Sequence, residues 1–499
     1  MRNVARAAVI AIGALYAWHW RFYVNPDGVA YFDVADALLR RGWFAAMNDH
    51  RSPVVPLLLA LTNHVSPYYE STAAHGIVFL MYCGAFVALE RLLAALRNDA
   101  LVPIAYLLFL WACNFALETG PASLTPDLLV AAAIFLGSAY LVRIANGERT
   151  WRIYLALGTT LGLGYLSKEA MLPIGLFLLA AAAIAGGRKS LPRASLAFAL
   201  FAAIACFYII LLSMKLGRFS TGEVSRYNLV MWVASTGTPI HPRPVIVQHP
   251  LIVAYPDDAG RGTYAVHDDF GYWLAGLRPR FDARAQLLRI RHSIGDYSAM
   301  LGTPLHFALL VVFLALLFAS PNIREPLRRH WYLTAPALAV LAMYGLVLVL
   351  PRYVSPSIAV LWIGLFAGFD AETLRRARPL LTAGAVAVFL ALATSRDTLS
   401  ELEMLRRDPV PHDWLIAQRL RQAGIQSGDR VAVAAPPSIC YWARLAQVRI
   451  AAEVVERDHF SPTAATTEAL RRFGIRAIVA GDSVYVVSDA KRITLPSGS

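Results

Sequence analysis

"LGLGYLSKEAMLPIGLFLLAAAAIAGGRKSLPR", residues 161–193, decides how this chain is read. It joins the end of one apolar run to the whole of another. Only Lys168 and Glu169 stand between them, and Arg188, Lys189 and Arg193 follow the second run. A charged pair between two apolar runs has almost no loop in which to be solvated, so it belongs at a bilayer boundary. The basic cluster then belongs at the opposite boundary, on the side where Arg and Lys collect.

The rest of the chain repeats this pattern. Of 499 residues, 57% are hydrophobic and 16% charged, too few charges to clothe a soluble surface of that size. Apolar runs fall at 4–23, 73–96, 101–117, 127–145, 152–167, 170–186, 192–213, 304–319, 331–350, 355–370 and 379–395, which predicts about eleven transmembrane helices. With the N-terminus inside, the inner loops hold Arg91 and Arg97, then Arg143, Arg149 and Arg152, and the Arg188 cluster. Arg324, Arg328, Arg329, Arg375, Arg376 and Arg378 complete the set. The short outer loops carry only Lys168 and Arg352. Counting "SPVVPLLLALTNHV" (52–65) as a further span would reverse that bias; its length and two prolines suit a short interfacial helix. The net charge of +13 therefore reads as membrane orientation and not as a nucleic-acid surface. Arg2 and Arg6 precede the first run without a small-residue cleavage site, so a retained span is expected rather than a signal peptide. Cys83, Cys113 and Cys206 lie in apolar runs and Cys440 stands alone; no disulfide framework or Cys-based metal site is readable.

This parity puts 24–72, 214–303 and everything after 395 outside. "NPDGVAYFDVADALLRRGW" (25–43) places Val29, Phe32, Ala35, Leu38 and Leu39 on one helical face, with Asp33, Asp36 and Arg40 away from it, as in a helix lying in the interface. The 214–303 segment has no clear period and is too long for a simple connector. The tail changes character: helix, Gly turn and buried strand follow one another twice, predicting a small α/β domain over 405–499. It has no Gly-x-Gly-x-x-Gly turn, so no nucleotide site is expected there. The expected architecture is a transmembrane domain over 1–400, with outer loops 24–72 and 214–303, followed by that α/β domain.

Sorting polar residues by side brings out one group. Asp27 follows the first span, Asp127 opens the fourth, Lys168 and Glu169 separate the fifth and sixth, and Arg352 ends the ninth. All fall at the outer boundary, a pattern suited to an anionic ligand and acid–base chemistry. Local roles compete with that reading. Asp27 and Asp127 suit helix caps, Lys168–Glu169 a solvated turn, and Arg352 a snorkelling side chain. His50–Arg51 beside Asp49 is either loop polarity or part of the same group. "HDD" at 267–269 has metal-ligand residue types but no second ligand group at metal-like spacing, so no metal site is assigned.

These residues carry a resemblance. The acid after the first span in an Asp27-x-x-x-Tyr31 segment, the Pro-rich "RSPVVPLLLAL" (51–61) and the acid opening "DLLVAAAIFLG" (127–137) resemble the GT-C membrane glycosyltransferases. So do Gly162-x-x-x-Leu166-x-Lys168 and Arg352-Tyr353-x-x-Pro356. The nearest branch is that of protein O-mannosyltransferases and lipid A aminoarabinose transferases. The resemblance covers roughly 1–400 in order and topology. One departure is Asp27–Gly28, where the family often has Asp-Glu. It implies a GT-C-like, inverting glycosyltransferase of the bacterial inner membrane, with its active site and tail domain on the periplasmic face. It also implies a polyprenyl-phosphate sugar as donor, a glycan, lipid or protein hydroxyl as acceptor, and no obligatory cofactor, with a divalent cation left open. In that reading Asp27 is the catalytic base and Lys168 and Arg352 hold the donor phosphate. Asp127, Glu169, Tyr31, His50, Arg51 and Tyr353 support them, and 214–303 closes over the donor. A lipid-linked glycan flippase, a non-catalytic scaffold and a ligase using a polyprenyl-diphosphate donor stay open as alternatives.

Overall fold

The computed structural model describes residues 2–115, 122–238, 244–255, 274–320, 322–393, 403, 411–436, 439–457, 460–487 and 491–494. The chain forms two compact units: Met1–Trp20, His75–Thr236 and Pro279–Leu405 in the first, and Arg21–Ala74, Gly237–Arg278 and Arg406–Ser499 in the second.

The first unit is helical. A helix occupies every apolar run read from the sequence, from Arg2–His19 through Asp127–Ala145, Trp151–Ser167, Met171–Gly186 and Leu191–Leu216 to Trp331–Gly345, Pro351–Ala367 and Ala371–Ala393. By length and apolarity, Tyr69–Leu96, Asp127–Ala145 and Arg188–Leu216 can cross a bilayer unaided. Ala283–Leu301 and Pro304–Ala319, bent by 82°, make a fourth if they form one span. The chain is a membrane protein, but these helices do not establish the expected number of eleven. Several of the remaining apolar helices are short because prolines set their limits: Pro103 and Pro351 sit in first turns, where a missing N–H costs nothing.

Glycine sets the closest helix pairing. A Cβ on Gly158 would lie 2.4 Å from the carbonyl oxygen of Ala197, and one on Gly162 would lie 2.8 Å from Ile204. The two glycines, one helical turn apart on Trp151–Ser167, thus let that helix approach Leu191–Leu216 backbone to backbone. In lipid, where apolar surfaces gain little by leaving the solvent, such close van der Waals packing is what holds helices together. It also fixes the end of Trp151–Ser167, and with it Lys168.

The second unit centres on a seven-stranded sheet. In chain order its strands are β1 (Val245–Val247), β2 (Ile252–Ala254), β3 (Arg430–Val433), β4 (Arg449–Val454), β5 (Ile475–Ala480), β6 (Ser483–Val486) and β7 (Lys491–Thr494). Their spatial order is β1-β2-β4-β3-β5-β6-β7. β3 pairs in parallel with β4 and β5, and the outer strands pair antiparallel. The helices Tyr441–Ala446 and Ala464–Arg472 supply the crossovers that parallel strands require. Ile252, Ala432, Val454, Leu470, Ile475 and Ile478 form the core.

Two features differ from the sequence reading. The sheet reaches outside 405–499, because β1 and β2 come from the 214–303 segment, with Ile252 opposite Val454 and Ala254 opposite Ala452. β2 is fully buried and shields the edge that β4 would otherwise leave unpaired. The 214–303 segment is therefore not one irregular excursion: Val224–Trp232 and Ala283–Leu301 are helices of the first unit, and 245–254 is sheet in the second. The Pro26–Arg41 helix also departs from an interfacial one, since Gly28–Ala37 are all buried, Asp33 and Asp36 included. Its polar face meets protein instead of water.

Gly158→Ala should lower the stability of the detergent-solubilised protein by about 1–3 kcal/mol, the cost of overpacking a close contact. Gly84→Ala, in the Pro67–Leu96 helix with nothing within 4 Å of the added carbon, should be neutral or stabilising. Equal melting temperatures for the two variants would refute the close approach of the helices.

Candidate functional site

Three helix ends of the first unit bring one acid and two cations together. Asp127 opens Asp127–Ala145, where the helix dipole favours a carboxylate, and its side chain is 5% exposed. Lys168 lies just past the last turn of Trp151–Ser167, in extended backbone, with its N–H donating to the Gly164 carbonyl at 2.9 Å. Arg352 is the second residue of Pro351–Ala367. A cation in the first turn works against the dipole, so something other than its own helix must hold Arg352 there.

That partner is Asp127. The Lys168 ammonium donates to Asp127 Oδ1, and Arg352 Nε lies 3.9 Å from Asp127 Oδ2. Tyr353 completes the group. Lys168 Nζ lies 3.9 Å from the centre of its ring, the Arg352 guanidinium 5.2 Å from it, and Arg352 Nη2 donates to its hydroxyl at 3.4 Å. Tyr344 stacks on the far side, with ring centres 5.4 Å apart. Both cations thus lie against an aromatic face and are largely screened from solvent. Asp127 Oδ2 accepts no hydrogen bond among the described residues.

Glu169 faces away from this chemistry. Its oxygens accept from the Val224 N–H at 3.0 Å and the Ser225 hydroxyl at 2.7 Å, which ties the turn after Lys168 to the start of Val224–Trp232. Burial pushes its carboxyl up from the ordinary range, against the hydrogen bonds. Gly222 makes room for it: at φ +127° a side chain is strained, and a Cβ would sit 2.5 Å from Glu169 Oε2.

Asp27, Tyr31 and Arg51 come together in the second unit. Arg51 Nη2 pairs with Asp27 Oδ1 at 2.9 Å, and its guanidinium lies 5.3 Å from the centre of the Tyr31 ring. Asn48 shapes the loop by accepting from the His50 and Arg51 N–H groups at 2.9 and 2.8 Å. Asp27 is not the cap the sequence allowed. Asn25 is the N-cap, Pro26 the first helical residue, and Asp27 stands in the first turn. The 267–269 cluster lies outside the described residues. Among the described residues no group of three His, Cys, Asp or Glu side chains is placed to hold a metal ion.

The second unit also holds a cluster that sequence reasoning missed. Arg444 donates to Asp33 at 3.2 Å, to Asp36 at 2.9 and 3.1 Å, and to Glu70 with two bonds of 2.8 Å. Phe32 lies under the guanidinium, 4.7 Å from it. Asp36 and Arg444 are 408 positions apart, so no local pattern joins them. The one available hint was a pair of carboxylates on a helix with few other polar residues.

No family model matches this chain, and no curated protein matches its sequence. Among solved structures it is similar to ArnT from Cupriavidus metallidurans in the apo state. The likeness covers 90% of this chain and 77% of that one, at 13% identity and a TM-score of 0.47. A likeness at that identity and score settles neither family nor activity.

Arg444→Met removes the cation from among three buried carboxylates and should destabilise the second unit by about 3–5 kcal/mol. Limited proteolysis at pH 8 should therefore cut the second unit of the variant faster than that of the wild type. A variant as resistant as the wild type at pH 8 would rule out the cluster.

Proposed function

We propose that the chain is an inverting glycosyltransferase that moves a sugar from a polyprenyl-phosphate donor to an acceptor hydroxyl at the outer face of the bacterial inner membrane. One observation carries the proposal: Lys168 and Arg352, two cations on different helix ends, converge on Asp127. A lipid-linked sugar phosphate has its tails in the bilayer and its phosphate at the boundary, where such helix ends lie. The order of the sequence motifs around Asp27, Asp127, Lys168 and Arg352 supports the same reading.

In the proposed reaction the acceptor oxygen bonds to the anomeric carbon while the bond from that carbon to the phosphate oxygen breaks. Negative charge grows on the departing phosphate, where Arg352 offers paired N–H donors and Lys168 a point charge. Attack from the face opposite the leaving group inverts the anomeric centre. The hydroxyl is a poor nucleophile near neutral pH, and Asp27 takes its proton. Arg51, paired with Asp27 at 2.9 Å, positions that carboxyl group before the acceptor arrives.

Purified protein in lipid, given radiolabelled polyprenyl-phosphate sugars, should consume at least one donor and form an inverted product. Donors that all survive intact would end the proposal. Arg352→Ala should reduce use of that donor by about 10- to 150-fold, since a hydrogen bond to a charged group contributes about 1.5–3 kcal/mol. Arg352→Lys should rescue only part of this, because paired donation is lost. Full activity in both variants would rule out a phosphate role for Arg352.

Asp27→Asn keeps the size of the side chain and removes the base. Turnover should fall by about 10²–10⁴-fold at saturating donor, while donor binding and melting temperature stay near wild type. Normal turnover would exclude Asp27 as the base.

A further inference from the structure

The same helices that carry the charged cluster end, at their other termini, around a second polar cavity. Asp127 begins a 19-residue helix, and Val142, Ala145 and Asn146 lie at its far end, about 28 Å away at 1.5 Å per residue. Arg352 lies in the first turn of Pro351–Ala367, and Ala367 ends that helix. The far ends enclose a cavity of about 370 Å³ lined by Arg97, Asn98, Asn146, Arg329, His330 and Tyr332. No carboxylate lines it. Of the acids near it in sequence, Asp99 accepts from Arg2 at 2.7 Å, Glu148 from Arg143 at 2.6 and 2.8 Å, and Asp370 from Thr373 at 2.7 and 2.8 Å; Glu325, exposed and four residues before Arg329, forms no ion pair with it among the described residues. Neither Arg97 nor Arg329 forms a side-chain hydrogen bond or ion pair among the described residues.

Arg97 makes a second, independent observation. It follows directly on the Pro67–Leu96 helix with φ of 54°, in the left-handed region where a helix exit usually has glycine. A residue with a Cβ costs about 1–2 kcal/mol there. The strained position puts a guanidinium at the cavity instead of an open turn. His330 adds hydrogen bonding without charge: burial, aided by the neighbouring Arg329, lowers it to about 4, and its Nδ1 lies 2.7 Å from the Tyr332 hydroxyl. The cavity charge is therefore that of two arginines.

We propose that this cavity binds the phosphate headgroup of an anionic phospholipid, with Arg97 and Arg329 pairing the phosphate and Asn98 and Asn146 meeting headgroup hydroxyls. Its place favours a lipid over a soluble anion. It lies at the end of a helix long and apolar enough to span, where headgroups sit, and the buried Phe369 gives it an apolar wall beside the charged one. The binding is separate from the proposed transferase chemistry at the opposite helix ends and holds whether or not that chemistry does.

The test is lipid retention by the full-length protein, purified in zwitterionic detergent, with phosphatidylglycerol, phosphatidylcholine or inorganic phosphate added and bound molecules counted by native mass spectrometry. Phosphatidylglycerol should bind at least tenfold more tightly than phosphatidylcholine, and phosphate alone should not be retained. Arg97→Gly suits the backbone and should melt no lower than wild type, yet weaken phosphatidylglycerol binding about tenfold or more. Arg329→Gln, on an exposed side chain, should do the same without relying on that turn. Unchanged binding in both variants, equal retention of phosphatidylcholine, or retention of phosphate as tight as that of the lipid would overturn the proposal.

Discussion

Burying a carboxylate that is 5% exposed among apolar helices is costly unless cations are packed beside it. Asp127 therefore ties three helix ends together: its own, the end of Trp151–Ser167 that bears Lys168, and the start of Pro351–Ala367 that bears Arg352. Each charge has a reason to stay. Asp127 gains from its helix dipole, Lys168 reaches it from the end of a helix packed closely through Gly158 and Gly162, and Arg352 overcomes an unfavourable dipole by facing the acid. Both cations lie against the Tyr353 ring, on which Tyr344 stacks.

The second unit solves the same problem with the signs exchanged. Asp33, Asp36 and Glu70 surround a single arginine, Arg444, over a phenylalanine ring. Arginine suits this role where lysine would not: its planar group offers several N–H donors in fixed directions, and here they serve three carboxylates at once. The cluster joins the Pro26–Arg41 helix to the turn of helix that precedes β4, so the juxtamembrane segment and the tail sheet form one folded body. β1 and β2, which come from the middle of the chain, strengthen the same body by covering the β4 edge.

The helices also act as rulers. A span of nineteen residues separates the Asp127 end from the cavity lined by Arg97 and Arg329 by about the thickness of a bilayer core. The two ends differ in kind. At one end the cations face a carboxylate and an aromatic ring; at the other they face a cavity and no acid.

Much of this was legible in the sequence, for a physical reason. Whether a stretch is helical and apolar depends on residues within a few turns, so the helix in each apolar run could be read from local pattern, as could the helix–turn–strand repeats of the tail. The one-sided grouping of Asp127, Lys168 and Arg352 could be read too, because span parity alone assigns residues to a boundary. Partner choice is another matter. Asp27 sits with Arg51, Glu169 with Val224 and Ser225, and Asp36 with Arg444 because packing brought them close, and burial then forced each charge to find its complement. The short run 245–254 shows the same limit. No period in the 214–303 segment marked it as strand, and only the tertiary fold could supply Val454 opposite Ile252, since a strand's partner is chosen by an exposed edge elsewhere in the chain. The sequence by itself determined where the helices form; the tertiary structure decided which charges meet, because a buried ion is stable only beside a partner that packing places there.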